Sequence, residues 1–274
     1  MIDLHTHTTC SDGSLTPSEL VNRAVKIGLN ALAITDHDNT DGIDEAIKAA
    51  EGKDLRIVPG IEIEIDFKPG EFHLLGLGLK DWKGSLEQAM VNVKNKRHER
   101  NLRIIDMMKE EGWDITLEDV SLHAGSNLIA RPHFAAAMVE KKIVRNTRLA
   151  FDKYLAAGRP FYTRKEALSL EEAVKLILDA GGVPVIAHPL SLFLSWGKLP
   201  GKLEEFKEQG VQGLEAWHPS VNKRKAERLI NLAEELDFLV TGGSDFHGDL
   251  RKDRKLGHSS DGRTIPDEYL APFI

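Results

Sequence analysis

The sequence predicts an α/β chain: seven strands alternating with helices in a (β/α) barrel, or failing that an open doubly wound sheet. Three observations carry this expectation. Short apolar runs alternate with amphipathic helical stretches at both ends of the chain. Between residues 84 and 159 the alternation stops and only helical periodicity remains. Histidines and acids recur where the predicted strands end.

The elements follow in order. Residues 2–4 form the first apolar run and lead into His5-Thr6-His7. Thr16-Pro17-Ser18-Glu19 supplies an N-cap, a first-turn proline and a capping-box acid, so a helix should run to about Ile27 and stop at Gly28. Residues 31–34 read as the second strand, ending in Thr35-Asp36-His37-Asp38, and a helix follows over about 41–51. The branched aliphatics of 56–65 and 72–79 predict strands three and four. Helices are predicted over 86–111, 117–123, 132–142 and 146–156, a helical insertion occupying 84–159 between barrel segments 1–83 and 160–274. Alternation then resumes: Ser169 caps a helix, 183–187 is strand five before His188-Pro189, 213–216 is strand six, and 238–241 is strand seven before Gly242-Gly243-Ser244-Asp245-Phe246-His247. From about Gly257 the chain reads as an irregular tail.

The polar residues choose one kind of place. His5, His7, Asp36, His37, His188, Asp245 and His247 follow strands, while Glu62 and His73 lie within strands three and four. In a parallel barrel all C-terminal strand ends face one mouth, where sites are built. Residues i and i+2 of an extended segment share a face, so His5 with His7, and Asp245 with His247, can each grip one ion. Imidazole mixed with carboxylate suits zinc, manganese or iron better than calcium.

Composition narrows the classes. The 274 residues are 41% hydrophobic, enough for a large core, and no apolar run is long enough to span a bilayer. The first residues lack the basic and apolar pattern of a signal peptide, and a single cysteine, Cys10, excludes an internal disulfide, so a reducing cytoplasm is expected. The net charge of −7 argues against broad binding of long duplex nucleic acid. It does not exclude an anionic substrate, since bound metals can reverse the local field.

The motifs His5-Thr6-His7, Ser11-Asp12-Gly13, Thr35-Asp36-His37-Asp38, Pro59-Gly60-Ile61-Glu62, His73-Leu74-Leu75-Gly76, Ala187-His188-Pro189 and Ser244-Asp245-Phe246-His247 together resemble the PHP (polymerase and histidinol phosphatase) family. The resemblance spans nearly the whole chain in the family's order. It implies a distorted seven-stranded TIM-like barrel with two to three divalent ions, manganese first, zinc or iron as alternatives. It implies that His5, His7, Glu62 and Asp245 hold one ion, that Glu62 bridges to a second held by His73 and His188, and that Asp12, His37 and His247 hold the third. Many relatives carry histidine where Asp12 stands. A metal-bound hydroxide held by Glu62, Asp245 and His188 would then attack phosphorus in line. Asp36 or Asp38 is expected to orient His37.

Arg97, Arg100 and Arg103 share a predicted helix, and Arg131-Pro132-His133 opens another whose free N–H groups can receive a phosphate. With Tyr154-Leu155-Ala156-Ala157-Gly158, these features look most like the PHP subgroup that hydrolyses 3′,5′-bisphosphonucleotides and trims short 5′-phosphorylated RNA. Arg131, His133, Arg97, Arg100 and His218 are the expected substrate-phosphate contacts. The partner is thus a small phosphorylated nucleotide or short RNA, with no membrane. The rival readings are another PHP phosphomonoesterase such as a histidinol-phosphate phosphatase, a metal-dependent amidohydrolase, and a non-catalytic metal-binding module.

Overall fold

The computed structural model describes residues 1–124, 129–163 and 167–274. Its first helix forms as its chemistry dictates. Thr16 Oγ1 accepts from the Glu19 N–H, and the Glu19 carboxylate accepts the Thr16 N–H in return. Helix α1 (Pro17–Ile27) then ends on Gly28, whose φ of +75° suits glycine.

Seven strands follow one another around a single sheet: β1 (Ile2–Asp3), β2 (Ala31–Ile34), β3 (Arg56–Ile65), β4 (Phe72–Leu77), β5 (Val183–Ile186), β6 (Gly213–Trp217) and β7 (Leu239–Gly242). All six neighbouring pairs would be parallel in a regular alternation, but β4 runs antiparallel to both β3 and β5. This corrects the expectation of strict strand–helix alternation. The connection over 66–71 is too short for a crossover helix, so β3 and β4 can only form a hairpin. The reversal brings the beginning of β4, not its end, to the mouth, and His73 with it.

No ladder joins β7 to β1. The wall closes instead just beyond both strands: the Leu4 N–H donates to Gly242 O (3.2 Å), Asp245 N–H to His5 O (2.9 Å) and His7 N–H to Phe246 O (2.9 Å). The result is a nearly closed, TIM-like barrel. Its apolar end is filled by Ile2, Leu4, Ala33, Val58, Leu77 and Val185, together with Ile265 and Phe273 from the C-terminal segment. The tail predicted to be irregular is therefore part of the core. Ile2 N–H donates to Ile265 O, and Phe273 is 4% exposed. Its short 3₁₀ turns lack the periodicity that would reveal this in sequence.

Helix α2 (Gly42–Ala50) also belongs to the barrel unit, Met1–Met90 with Ala167–Ile274. The second unit, Val91–Glu166, takes in most of α3 (Ser85–Glu110), with α4 (Leu117–Ser121), α5 (Arg131–Glu140) and α6 (Thr147–Ala150). The predicted helix over 146–156 splits, since α6 continues as a π-helical turn at Phe151–Leu155. This unit has its own core, built from Ile104, Met108, Phe134, Met138 and Phe161, with the Trp113 ring edge-on to Tyr154 and Phe161 at 4.8 and 4.9 Å. Outside the barrel wall, α7 (Leu170–Asp179), α8 (Leu199–Glu208) and α9 (Lys223–Glu235) bury residues at helical spacing, such as Ala226, Leu229 and Ala233 on α9. Among the described residues, no helix is long and apolar enough to cross a membrane.

The seam between β7 and β1 has no room for a side chain at Gly243. A Cβ there would lie 2.1 Å from His5 Cβ and 2.7 Å from His5 N. Gly243→Ala is expected to destabilise the protein by about 1–3 kcal/mol, read as a lower midpoint in urea denaturation at unchanged slope.

Candidate metal centre

The loop after β1 is folded by Asp36. Its carboxylate accepts the Thr8 N–H (2.7 Å), the Thr8 hydroxyl (2.7 Å) and the Ser11 hydroxyl (2.6 Å), which turns the chain so that Asp12 faces His7. Gly13 completes that turn, because a Cβ would meet His7 O at 2.5 Å. Asp36 thus shapes a loop rather than orienting His37, and Asp38 accepts the Glu64 N–H. The sequence expectation is corrected for Asp36, whose carboxylate is held by the 8–11 loop.

Glu62, fully buried on β3, stands among five imidazoles. Its Oε1 lies 2.9 Å from His73 Nδ1 and 3.0 Å from His188 Nε2. Its Oε2 lies 3.1 Å from His37 Nδ1 and 3.3 Å from Nε2 of both His5 and His7. Asp245 Oδ1 is 3.3 Å from His7 Nε2 and 3.6 Å from His5 Nε2. Asp12 meets His247 Nε2 at 3.3 Å, His7 Nδ1 at 3.6 Å and His37 Nε2 at 3.8 Å. All nine residues expected as ligands therefore converge. Their donor atoms fall into four overlapping groups: His7, Asp12, His37 and His247; His5, His7 and Asp245; His5, Glu62 and His188; His37, Glu62 and His73. His5, His7, His37 and Glu62 each enter two groups, so the grouping is less exclusive than the three sets inferred from sequence, in which Glu62 alone was shared.

A metal fits these residues on the chemistry of the donors. His5 Nε2, both His7 nitrogens and Glu62 Oε2 are buried without a hydrogen-bond partner among the described residues. Such atoms are costly to leave unmet, and here they face one another. Burial would raise Glu62, but the charges of His37, His5 and His73 outweigh it and hold the carboxyl well below its ordinary range. Burial, reinforced by His247 and His37, lowers His7 to about 4, leaving its imidazole neutral at pH 7. Burial pulls His5 down, yet Glu62 and Glu215 outweigh it and raise it well above the usual value; a divalent cation would displace that proton.

The surrounding hydrogen bonds set the tautomers. His5 Nδ1 donates to Glu215 Oε1 (3.0 Å), which turns the Nε2 lone pair toward Glu62. His188 Nδ1 donates to Ser191 Oγ (2.9 Å), whose hydroxyl is spent on Glu71 O, so His188 Nε2 also faces inward. His247 Nδ1 donates to Asp245 O (2.8 Å). His218 is the opposite case. Its Nδ1 accepts the Ser220 N–H, so its Nε2 is a donor aimed at Asp245 Oδ2 (3.3 Å). A donor suits an anion and not a metal.

Glu215 is not among the site residues expected from the sequence. It is fully buried on β6, and besides holding His5 its Oε2 accepts the His188 N–H at 2.7 Å. His188 and Asp245 have φ of +27° and +50°, left-handed conformations that cost energy for residues other than glycine. Glu215 secures the first, and the Asp245 N–H bond to His5 O secures the second. Asp3 was missed as well. Buried beneath the site, it accepts from Ser244 N and Oγ, His5 N and Gly257 N, and burial raises its pKa to about 6. An acid inside an otherwise apolar strand was the available signal for both.

Of the expected phosphate contacts, His218 lies in the wall of the pocket, beside His188 and Asp245. The others belong to the Val91–Glu166 unit. Arg97 and Arg100 lie on the buried side of α3, at 7% and 4% exposure, whereas Arg103 is exposed. Arg131 opens α5 with its guanidinium 5.1 Å from the Tyr162 ring centre, and His133 Nδ1 accepts the Ala130 N–H. Cys10 is half-buried; its N–H donates to Thr8 Oγ1 and its carbonyl accepts from Asn39 Nδ2.

Because Glu215 acts on two candidate ligands at once, Glu215→Gln is expected to weaken metal affinity about 10- to 100-fold. Metal titration followed by elemental analysis checks this, and unchanged affinity would show that the carboxylate charge is dispensable.

Comparison with known proteins agrees with this geometry. The model of the PHP domain matches residues 3–177. The chain is 31% identical to a 3′,5′-nucleoside bisphosphate phosphatase of Chromobacterium violaceum, over 95% of this chain and 92% of that one. It is 34% identical to a 5′-3′ exoribonuclease of Haemophilus influenzae, over 89% of each. A Bifidobacterium adolescentis structure described as a metal-dependent phosphoesterase superposes with a TM-score of 0.76 at 31% identity, covering 99% of this chain and 94% of the other. With a barrel that gathers histidines and carboxylates at one mouth, and with relatives that are hydrolases along nearly its whole length, the chain belongs to the PHP family of metal-dependent phosphoesterases.

Proposed function

We propose that the protein hydrolyses the 3′-phosphoester of 3′,5′-bisphosphonucleotides, releasing phosphate and leaving the 5′-phosphorylated nucleoside, and that it also trims short 5′-phosphorylated RNA. The observation that carries this reading is the likeness to the C. violaceum bisphosphate phosphatase across nearly the full length of both chains. The likeness to the H. influenzae exoribonuclease supports the RNA substrate. Both substrates present a 5′-phosphate near a 3′-phosphoester, so one site can serve both. The net charge of −7 favours a nucleotide or short oligomer over long RNA.

In this reading His5, His7, Glu62 and Asp245, then Glu62, His73 and His188, then Asp12, His37 and His247 hold up to three divalent ions, with manganese preferred. Bound there, such ions supply Lewis acidity and a water acidic enough to act as nucleophile near neutral pH. Glu62, Asp245 and Asp12 are all held below their ordinary range, and so remain ionised to attract the cations. Glu62, Asp245 and His188 hold the attacking oxygen's side of the site. His218 presents its Nε2 donor to the phosphoryl oxygens. Arg131 and His133 at the start of α5, with Arg97 and Arg100 on α3, grip the 5′-phosphate, which makes the Val91–Glu166 unit the specificity element.

Metal-stripped protein should release phosphate from adenosine 3′,5′-bisphosphate only after manganese is restored, with 5′-AMP as the remaining nucleotide. Formation of 3′-AMP, or no release from metal-verified protein, would overturn the substrate assignment. Arg131→Ala should raise KM for 5′-phosphorylated substrates about tenfold or more and leave 3′-AMP hydrolysis little changed. An equal effect on both substrates would remove the 5′-anchor.

A further inference from the structure

The segment after β7 carries a cation that the site described so far does not use. Beyond the 3₁₀ turn Gly248–Leu250 the chain is pinned at both ends. Asp249 N–H donates to Ser14 Oγ, Leu256 is 2% exposed, and Gly257 N–H donates to Asp3 Oδ2 at 2.7 Å. Between these anchors, Arg251 and Arg254 both line the pocket that holds Asp12, Glu62, His188, His218 and Asp245.

The two arginines are in different states. Arg251 is half-exposed and already committed, its Nε and Nη2 each donating to Asp253 at 3.1 Å. The Arg254 side chain is only 8% exposed, yet its Nε has no hydrogen-bond partner among the described residues. Its Nη2 stands 3.5 Å from Asp245 Oδ2, and its Nε 3.4 Å from Asp253 Oδ2, both as charge neighbours rather than hydrogen bonds. A guanidinium carries five donors in a planar fork and cannot shed its charge. Burying one with donors unmet is unfavourable unless something in the pocket meets them.

We propose that Arg254 is a contact for the phosphoryl group that is transferred, its fork taking two non-bridging oxygens beside the carboxylates of the cluster. The pairing is a bidentate, charge-assisted one. It places a fixed positive charge where negative charge gathers as the phosphoester bond breaks, and so acts more on the transition state than on the bound substrate. His218 Nε2, which shares Asp245 Oδ2 with Arg254, supplies a second donor to the same group. Arg254 thereby serves the transferred group rather than the 5′-phosphate, and its role holds for any phosphomonoester the site accepts.

The test uses manganese-loaded protein with p-nitrophenyl phosphate as substrate and inorganic phosphate as ligand, so it is independent of the nucleotide assignment. Arg254→Gln is expected to lower kcat about 10²- to 10³-fold and to weaken phosphate binding by calorimetry about tenfold, at wild-type metal content. Arg254→Lys should bind metal normally and recover part of the phosphate affinity without the bidentate geometry. Unchanged kinetics and phosphate affinity in both variants would overturn the proposal. So would a loss of metal in proportion to the loss of activity, since Arg254 would then act by positioning Asp245. Failure of wild-type protein on adenosine 3′,5′-bisphosphate would instead count against the nucleotide reading alone.

Discussion

The arrangement depends on one buried carboxylate surrounded by imidazoles. Glu62 sits in a place where burial opposes ionisation, and His37, His5 and His73, with the hydrogen bond from His188, outweigh that burial and hold its carboxyl well below the ordinary range. Five strands or strand ends must come to one spot for that to happen. The barrel exists in a form that allows it. β4 is turned over so that His73 reaches the mouth, and His188 and Asp245 accept left-handed backbone to present their side chains. Each of these departures from ideal geometry occurs at the site, where strain can be offset by the bonds it permits.

A second tier of residues makes the first usable. Glu215, Ser191 and the Asp245 carbonyl each take an Nδ1 proton, so the ring nitrogens that face inward carry lone pairs. His218, with its tautomer set the other way, becomes a donor in the same wall. The pocket is thus divided into a part suited to cations and a part suited to anions by hydrogen bonds that never touch either. A phosphoesterase needs both parts next to each other.

Much of this was legible in the sequence, for physical reasons that can be named. Helix α1 was readable because its cap, proline and stop are local signals. The ligand set was readable because strand ends converge in a barrel, so residues distant in sequence share a mouth. The reversal of β4 was not readable from the strand pattern, since apolar periodicity has no direction; only the short 66–71 connection hinted at it. Asp36 was misassigned because its neighbour His37 suggested a partner, while its actual donors, Thr8 and Ser11, come from another loop. Arg254 and Ile265 were missed because they lie in segments without periodicity, fixed only by long-range contacts to Asp3, Ser14 and Ile2.

The wall between β7 and β1 is joined by the Leu4–Gly242 bond, by Asp3 accepting from Ser244, and beyond these by the backbone of His5, His7, Asp245 and Phe246. Much of that seam is therefore made by the same stretches of chain that carry the ligands. Whatever shifts the backbone of those stretches also loosens the joint that makes the sheet a cylinder. A descendant that lost its metals would still have to keep these segments in place, whatever side chains they came to carry.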